Sequence, residues 1–103
     1  MADTVLIDPL GRRVVLHDFT WVRHILIRHP EMRPHRHLAE EAVRNPLAIR
    51  CSRVDADCRT YYGRGPRAGI MVAVIANVKA GFVKTAFLTT RKKGICEWSP
   101  SKP

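Results

Sequence analysis

The chain has 103 residues, enough for one hydrophobic core and too few for two. At 46% hydrophobic and 26% charged it has the composition of a folded domain, and its longest apolar run, "AGIMVAVIANV", falls well short of the roughly 20 residues that cross a bilayer. Eighteen Lys and Arg, thirteen of them Arg, against nine Asp and Glu give a net charge of +9, so the chain is expected to gather on phosphate polyanions, nucleic acid above all.

In chain order, "TVLIDPLGRRVVLHD" predicts a short β-hairpin, with Thr4–Ile7 and Arg12–His17 flanking the turn "DPLG". Its acidic start lacks the layout of a secretory leader, and a cytoplasmic protein is expected. Asp18 or Thr20 is placed to cap a first helix. In that helix Val22, Leu26 and His29 share one stripe, and Trp21, Ile25 and Arg28 share the next. Pro30 and Pro34 oppose its continuation. "HRHLAEEAVRN" predicts a second helix with Leu38, Ala42 and Val43 inward, and Arg36 and Arg44 pairing with Glu40 and Glu41 on the surface.

The remainder reads as β. "LAIRCSRV", "CRTYY", "GIMVAVIANV" and "FVKTAFLTT" are four strands joined by short links, which favours an antiparallel meander. "KKGICEWSP" can add a short edge strand, with Trp98 as packing. The expected fold is therefore α+β: a single domain over residues 1–103, with two N-terminal helices, preceded by the hairpin, packed on a four-stranded antiparallel meander. Cys51, Cys58 and Cys96 are odd in number and lack CxxC spacing, so they read as free thiols.

Two helices and a meander with "H…RHPE" in the first helix, "NPLAIRCS" entering the sheet, "RTYY" in the next strand and "VKTAF" in the last is similar to the phage-type branch of the barnase–EndoU–colicin–RelE superfamily. The resemblance runs from about His17 to Trp98 and lies in the order and spacing of the motifs. It implies a metal-independent, cofactor-free endoribonuclease, phage- or toxin-type, cutting RNA by general acid–base transesterification on the sheet face away from the helices or near its rim. Such a reaction needs a base for the 2′-hydroxyl, donors for the phosphorane and an acid for the leaving oxygen.

His24 matches the first histidine of the helix motif and is the leading proton-transfer group; His29, in "HPE", is second, although the helix C-terminus alone explains an imidazole there. At five residues apart the two point about 140° away from each other, so one site should take only one of them. Arg59 is the expected charge stabiliser, and Thr85, with Tyr62 or Tyr61, would position the phosphate. Arg50, Arg53, Arg64, Arg67 and Lys84 are expected on RNA phosphates. Strand alternation puts Arg59 with Tyr61 and Thr60 with Tyr62, and it separates Lys84 from Thr85 unless a bulge intervenes. His35 and His37 are a weak metal signal, and no metal is expected. The alternatives are a non-catalytic basic RNA-binding module and a phage-encoded protein-interaction factor. A toxin would imply an acidic antitoxin or immunity protein on the basic face.

Overall fold

The computed structural model describes residues 2–100. The hairpin forms as expected: β1 (Thr4–Ile7) pairs antiparallel with β2 (Arg13–Leu16), Val5 opposite Val15 and Leu6 opposite Val14. The Asp8 carboxylate organises the turn by accepting the backbone N–H groups of Leu10 and Arg12, which is why Asp suits a turn start. Alternation buries Leu6, Val14 and Leu16 and leaves Val5 and Ile7 exposed.

The first helix, α1, occupies residues 18–28 and is irregular. Asp18–Thr20 and Leu26–Arg28 are α-helical, whereas Trp21–Ile25 forms a π-turn in which the Leu26 N–H reaches the Trp21 carbonyl. Trp21 and Ile25 point inward together, and Val22, on the stripe of Leu26 and His29, is 46% exposed. Neither Asp18 nor Thr20 caps it; both lie within the helix, and the Asp3 carboxylate accepts the Asp18 N–H instead. The α-helix ends before His29-Pro30, as the proline dictates, and a 3-10 turn, Pro30–His35, leads into α2 (Arg36–Arg44).

Ala39, Ala42 and Val43 form the buried face of α2, with Leu38 packed half-buried against the core. The expectation for Arg36 needs correction. It is 7% exposed, stands 5.7 Å over the Trp21 ring, and bonds Asp18, Glu40, Thr4 and the Ala2 carbonyl. A guanidinium can be buried this way because its planar fork finds an acceptor on each edge. Arg36 thus ties α1, α2 and β1 together.

Strands β3 (Ala48–Cys51), β4 (Cys58–Arg64), β5 (Met71–Asn77) and β6 (Phe82–Thr89) form the expected antiparallel meander. The sheet is larger than that, however. It has seven strands in the order β1-β2-β6-β5-β4-β3-β7, with the hairpin joined through a parallel β2–β6 contact at Val15 and Phe82, and β7 (Ile95–Trp98) antiparallel to β3. A detached hairpin would leave Leu6, Val14 and Leu16 in water; joining the sheet buries them.

Both helices lie on one face of the sheet. There α2 approaches β4 so closely that a Cβ on Gly63 would stand 2.5 Å from the Ala42 Cβ. Side chains sharing the parity of Gly63 therefore face the helices, and those of the other parity face away.

Candidate nucleic-acid interface

Parity divides the expected site residues between the two faces. On β4, Arg59 and Tyr61 share the parity of Gly63 and face the helices; Cys58, Thr60, Tyr62 and Arg64 point the other way.

On the helix side, Arg59 donates to Glu97 at 2.8 Å, and Arg12 donates to both Glu97 and Asp8. Tyr61 is fully buried and donates its hydroxyl proton to Asp8 at 2.6 Å. Burial pushes the Asp8 carboxyl upward, but hydrogen bonds from Tyr61 and Arg12 more than offset it and hold it below the usual carboxylate range. Glu97 behaves alike, burial being outweighed by Arg12 and Arg59. Burial and the neighbouring Asp8 raise the Tyr61 phenol. This closed network joins the β1–β2 turn to β7 at the far edge of the sheet and satisfies its own charges. Arg59 and Tyr61 are thereby committed to it.

The helix-free face is different. Pairing between β5 and β6 shifts by one residue, from Ile75–Thr85 to Ala76–Val83, so Lys84 is the extra residue of a bulge. The condition for Lys84 and Thr85 to share a face is met. Lys84 Nζ reaches Cys58 Sγ at 3.8 Å on the helix-free side, and Thr85 continues the row Thr60–Ile75–Thr85 across three strands. Beside Lys84, the Cys58 thiol is raised by burial and by its hydrogen bond to Asp55.

Strand order creates one further feature. β6 and β7 are separated by β5, β4 and β3, so residues 90–94, "TRKKG", must cross the sheet. They cross its helix-free face as a strap. The Lys93 N–H donates to the Tyr62 hydroxyl at 2.8 Å, and Arg50 donates to the Gly94 carbonyl at 3.0 Å. The strap thus lies against Tyr62, which is 4% exposed. Gly94 anchors its far end with φ +88° and with Cys51 O where a Cβ would stand, a place only glycine fits.

A hollow lies on either side of the strap. The first, about 520 Å³, is framed by Arg53, Lys92 and Lys93 over Thr60 and Ile75, with Val54 at its mouth. The second, about 640 Å³, is framed by Arg64, Arg67 and Thr90 over Leu47, Ile70 and Met71. Among the described residues no carboxylate lines either hollow. Five of the nine acids are paired elsewhere, Asp8 and Glu97 in the network above, Asp18 and Glu40 on Arg36, and Asp3 on His17, whereas Asp55 stays on the helix-free side at Cys58. Arg53, Arg64 and Arg67, which the sequence assigns to RNA phosphates, stand at the rims of these hollows. Arg50 faces the same side but is committed to Gly94.

His24 is exposed and edges against Phe19, 5.5 Å between rings, with no contact to this face. His29 lies half-buried with its ring 5.5 Å from Phe87, two residues along β6 from Thr85 and of the same parity. The expected trio of His24, Arg59 and Thr85 therefore does not converge: Arg59 lies across the sheet from Thr85, and His24 is away from both. Tyr62 is brought to the site beneath the strap, and Tyr61 is not. His35 and His37 belong to no cluster, since no three metal-ligating side chains group among the described residues. The sequence reading overlooked Lys92 and Lys93, although a basic run directly before a tail strand was available as a signal.

Comparison with protein-family models, with curated proteins and with solved structures finds no match. Among the described residues no helix is long and apolar enough to cross a membrane.

Proposed function

We propose that this protein is a basic RNA-binding module that receives the phosphate backbone on the helix-free face of its sheet. The observation that carries the reading is a local segregation of charge: two hollows framed by arginine and lysine with no carboxylate among the described residues lining them, while Asp8, Asp18, Glu40 and Glu97 are held in ion pairs on the opposite face and the helices. Cations so arranged release counterions when they meet phosphates, and affinity then falls steeply with salt. Titrating labelled RNA against the protein over a range of salt concentrations tests this. Tight binding at low salt, weakened by exchanging Arg53, Lys92 and Lys93 for alanine, is expected. Equal binding by that triple variant would overturn it, and feeble binding at physiological salt would favour an acidic protein partner on the same face.

Cleavage is the second reading, favoured by the position of His29 over Phe87 beside Thr85 and by the motif order that resembles the ribonucleases. His29 then replaces His24 as the proton-transfer group, and Thr85 with Lys84 holds the phosphate. RNA incubated with protein in EDTA should be cut by wild type and by His24→Ala but not by His29→Ala. An intact RNA product with wild type removes this reading and leaves binding alone.

A further inference from the structure

We infer that the RNA taken by this face is single-stranded and lies across the strap, with one unstacked base in the hollow on each side. The inference rests on the RNA-binding reading and specifies its substrate. Its ground is the strap itself. Residues 90–94 pass over Tyr62 on β4, so the helix-free face is a ridge with a depression on either flank.

Each depression pairs apolar floor with cationic rim. Ile75 lies among Arg53, Lys92 and Lys93 on one side; Ile70 and Met71 lie among Arg64 and Arg67 on the other. Val54, at the rim beside Arg53, is 96% exposed and adds apolar surface at the mouth of the first hollow. This is the chemistry of a base in a pocket. The faces of the base bury against aliphatic carbon, while the flanking phosphates meet guanidinium and ammonium groups.

Duplex RNA cannot use such a surface. Its bases are stacked inside and its phosphates lie outside, so a rigid helix would rest on the ridge and touch only the outermost cations. A flexible single strand can bend over the ridge and reach both floors. Thr60 and Arg64, which mark the two hollows on β4, are four residues apart, about 13 Å at strand spacing, a span that a few nucleotides cover.

Two joined subsites predict a step. An oligonucleotide too short to straddle the strap occupies one hollow; once long enough it occupies both, and the second contact becomes intramolecular. Affinity should then rise on the order of a hundredfold over one or two added nucleotides. The experiment measures binding of fluorescent oligouridylates of increasing length, and of a blunt duplex matched in length to the longest, at one low salt concentration. A step in the single-strand series, its loss in Arg67→Glu and in Met71→Glu, and duplex binding at least tenfold weaker are expected. Arg67 sits in an exposed loop, so that variant reports even if Met71→Glu folds poorly. A smooth rise with length, or a duplex that binds as tightly as the single strand, overturns the inference while leaving RNA binding intact. Absence of binding by every RNA at low salt overturns both.

Discussion

The hydroxyl of Tyr61 reaches across 53 residues of sequence to donate a 2.6 Å hydrogen bond to the Asp8 carboxylate. That bond links the middle of the sheet to the turn of the N-terminal hairpin, and through Arg12 it extends to Glu97 near the C-terminus. Tyr61→Phe keeps the ring volume but leaves Asp8, a fully buried side chain, short of one donor. The expected loss is about 1–3 kcal/mol, because the desolvated oxygen stays buried with fewer partners. Urea unfolding checks this; an unchanged midpoint would show the bond to be idle.

The same network sets an acid limit on stability. Asp8 and Glu97 are both held below their ordinary values by hydrogen bonds that outweigh burial. For a carboxyl depressed in the folded state, the unfolded chain binds the proton first as pH falls. Its contribution is therefore complete above the unfolded value of about 4 and disappears as pH drops through the depressed folded value. Thermal melts across the acid range should show Tm falling below about pH 4, and Glu97→Gln should flatten that fall while lowering Tm at neutral pH. An identical pH slope in Glu97→Gln would place the acid sensitivity elsewhere.

Gly63 and Ala42 make a reciprocal prediction. With a Gly63 Cβ only 2.5 Å from the Ala42 Cβ, Gly63→Ala forces α2 off the sheet and should cost about 1–3 kcal/mol, as overpacking does. Ala42→Gly in the same chain should recover part of the loss by opening the contact. Chemical denaturation of the single and double variants decides it: additive losses would mean the two positions do not meet.

Arginines on opposite faces should separate in a salt titration. Replacing Arg53, Lys92 and Lys93 by alanine removes three cations from the proposed RNA face and, if each meets a phosphate, should lower the slope of log affinity against log salt by roughly 2 for a single strand. Arg59→Ala should leave that slope alone and instead lower stability, since it strands Glu97 with Arg12 as its remaining partner. The reverse pattern would put the RNA on the helix side of the sheet.

Much of this was legible in the residues themselves. The β-rich runs "CRTYY" and "GIMVAVIANV" marked strands, and the parity of Arg59 with Tyr61 and of Thr60 with Tyr62 follows from a period of two. His29-Pro30 ended a helix because proline restricts the residue before it. Other features resisted. The π-turn in α1 adds a residue where helical periodicity assumes none, and Val22 lies outward. Arg36 carries the composition of a surface residue and is buried only because Asp18, Glu40 and the Ala2 carbonyl converge on it from three segments.

From the sequence alone came the basic charge, the α+β class, the meander and the residues available on each strand face, since these depend on composition and on neighbours a few positions apart. Which strands lie side by side was decided only in three dimensions. The parallel β2–β6 contact, the bulge that turns Lys84 and Thr85 the same way, and the seat of β7 beyond β3 all rest on pairing between distant segments. That strand order alone obliges residues 90–94 to cross the open face, and so turns a basic run in the sequence into a ridge between two hollows.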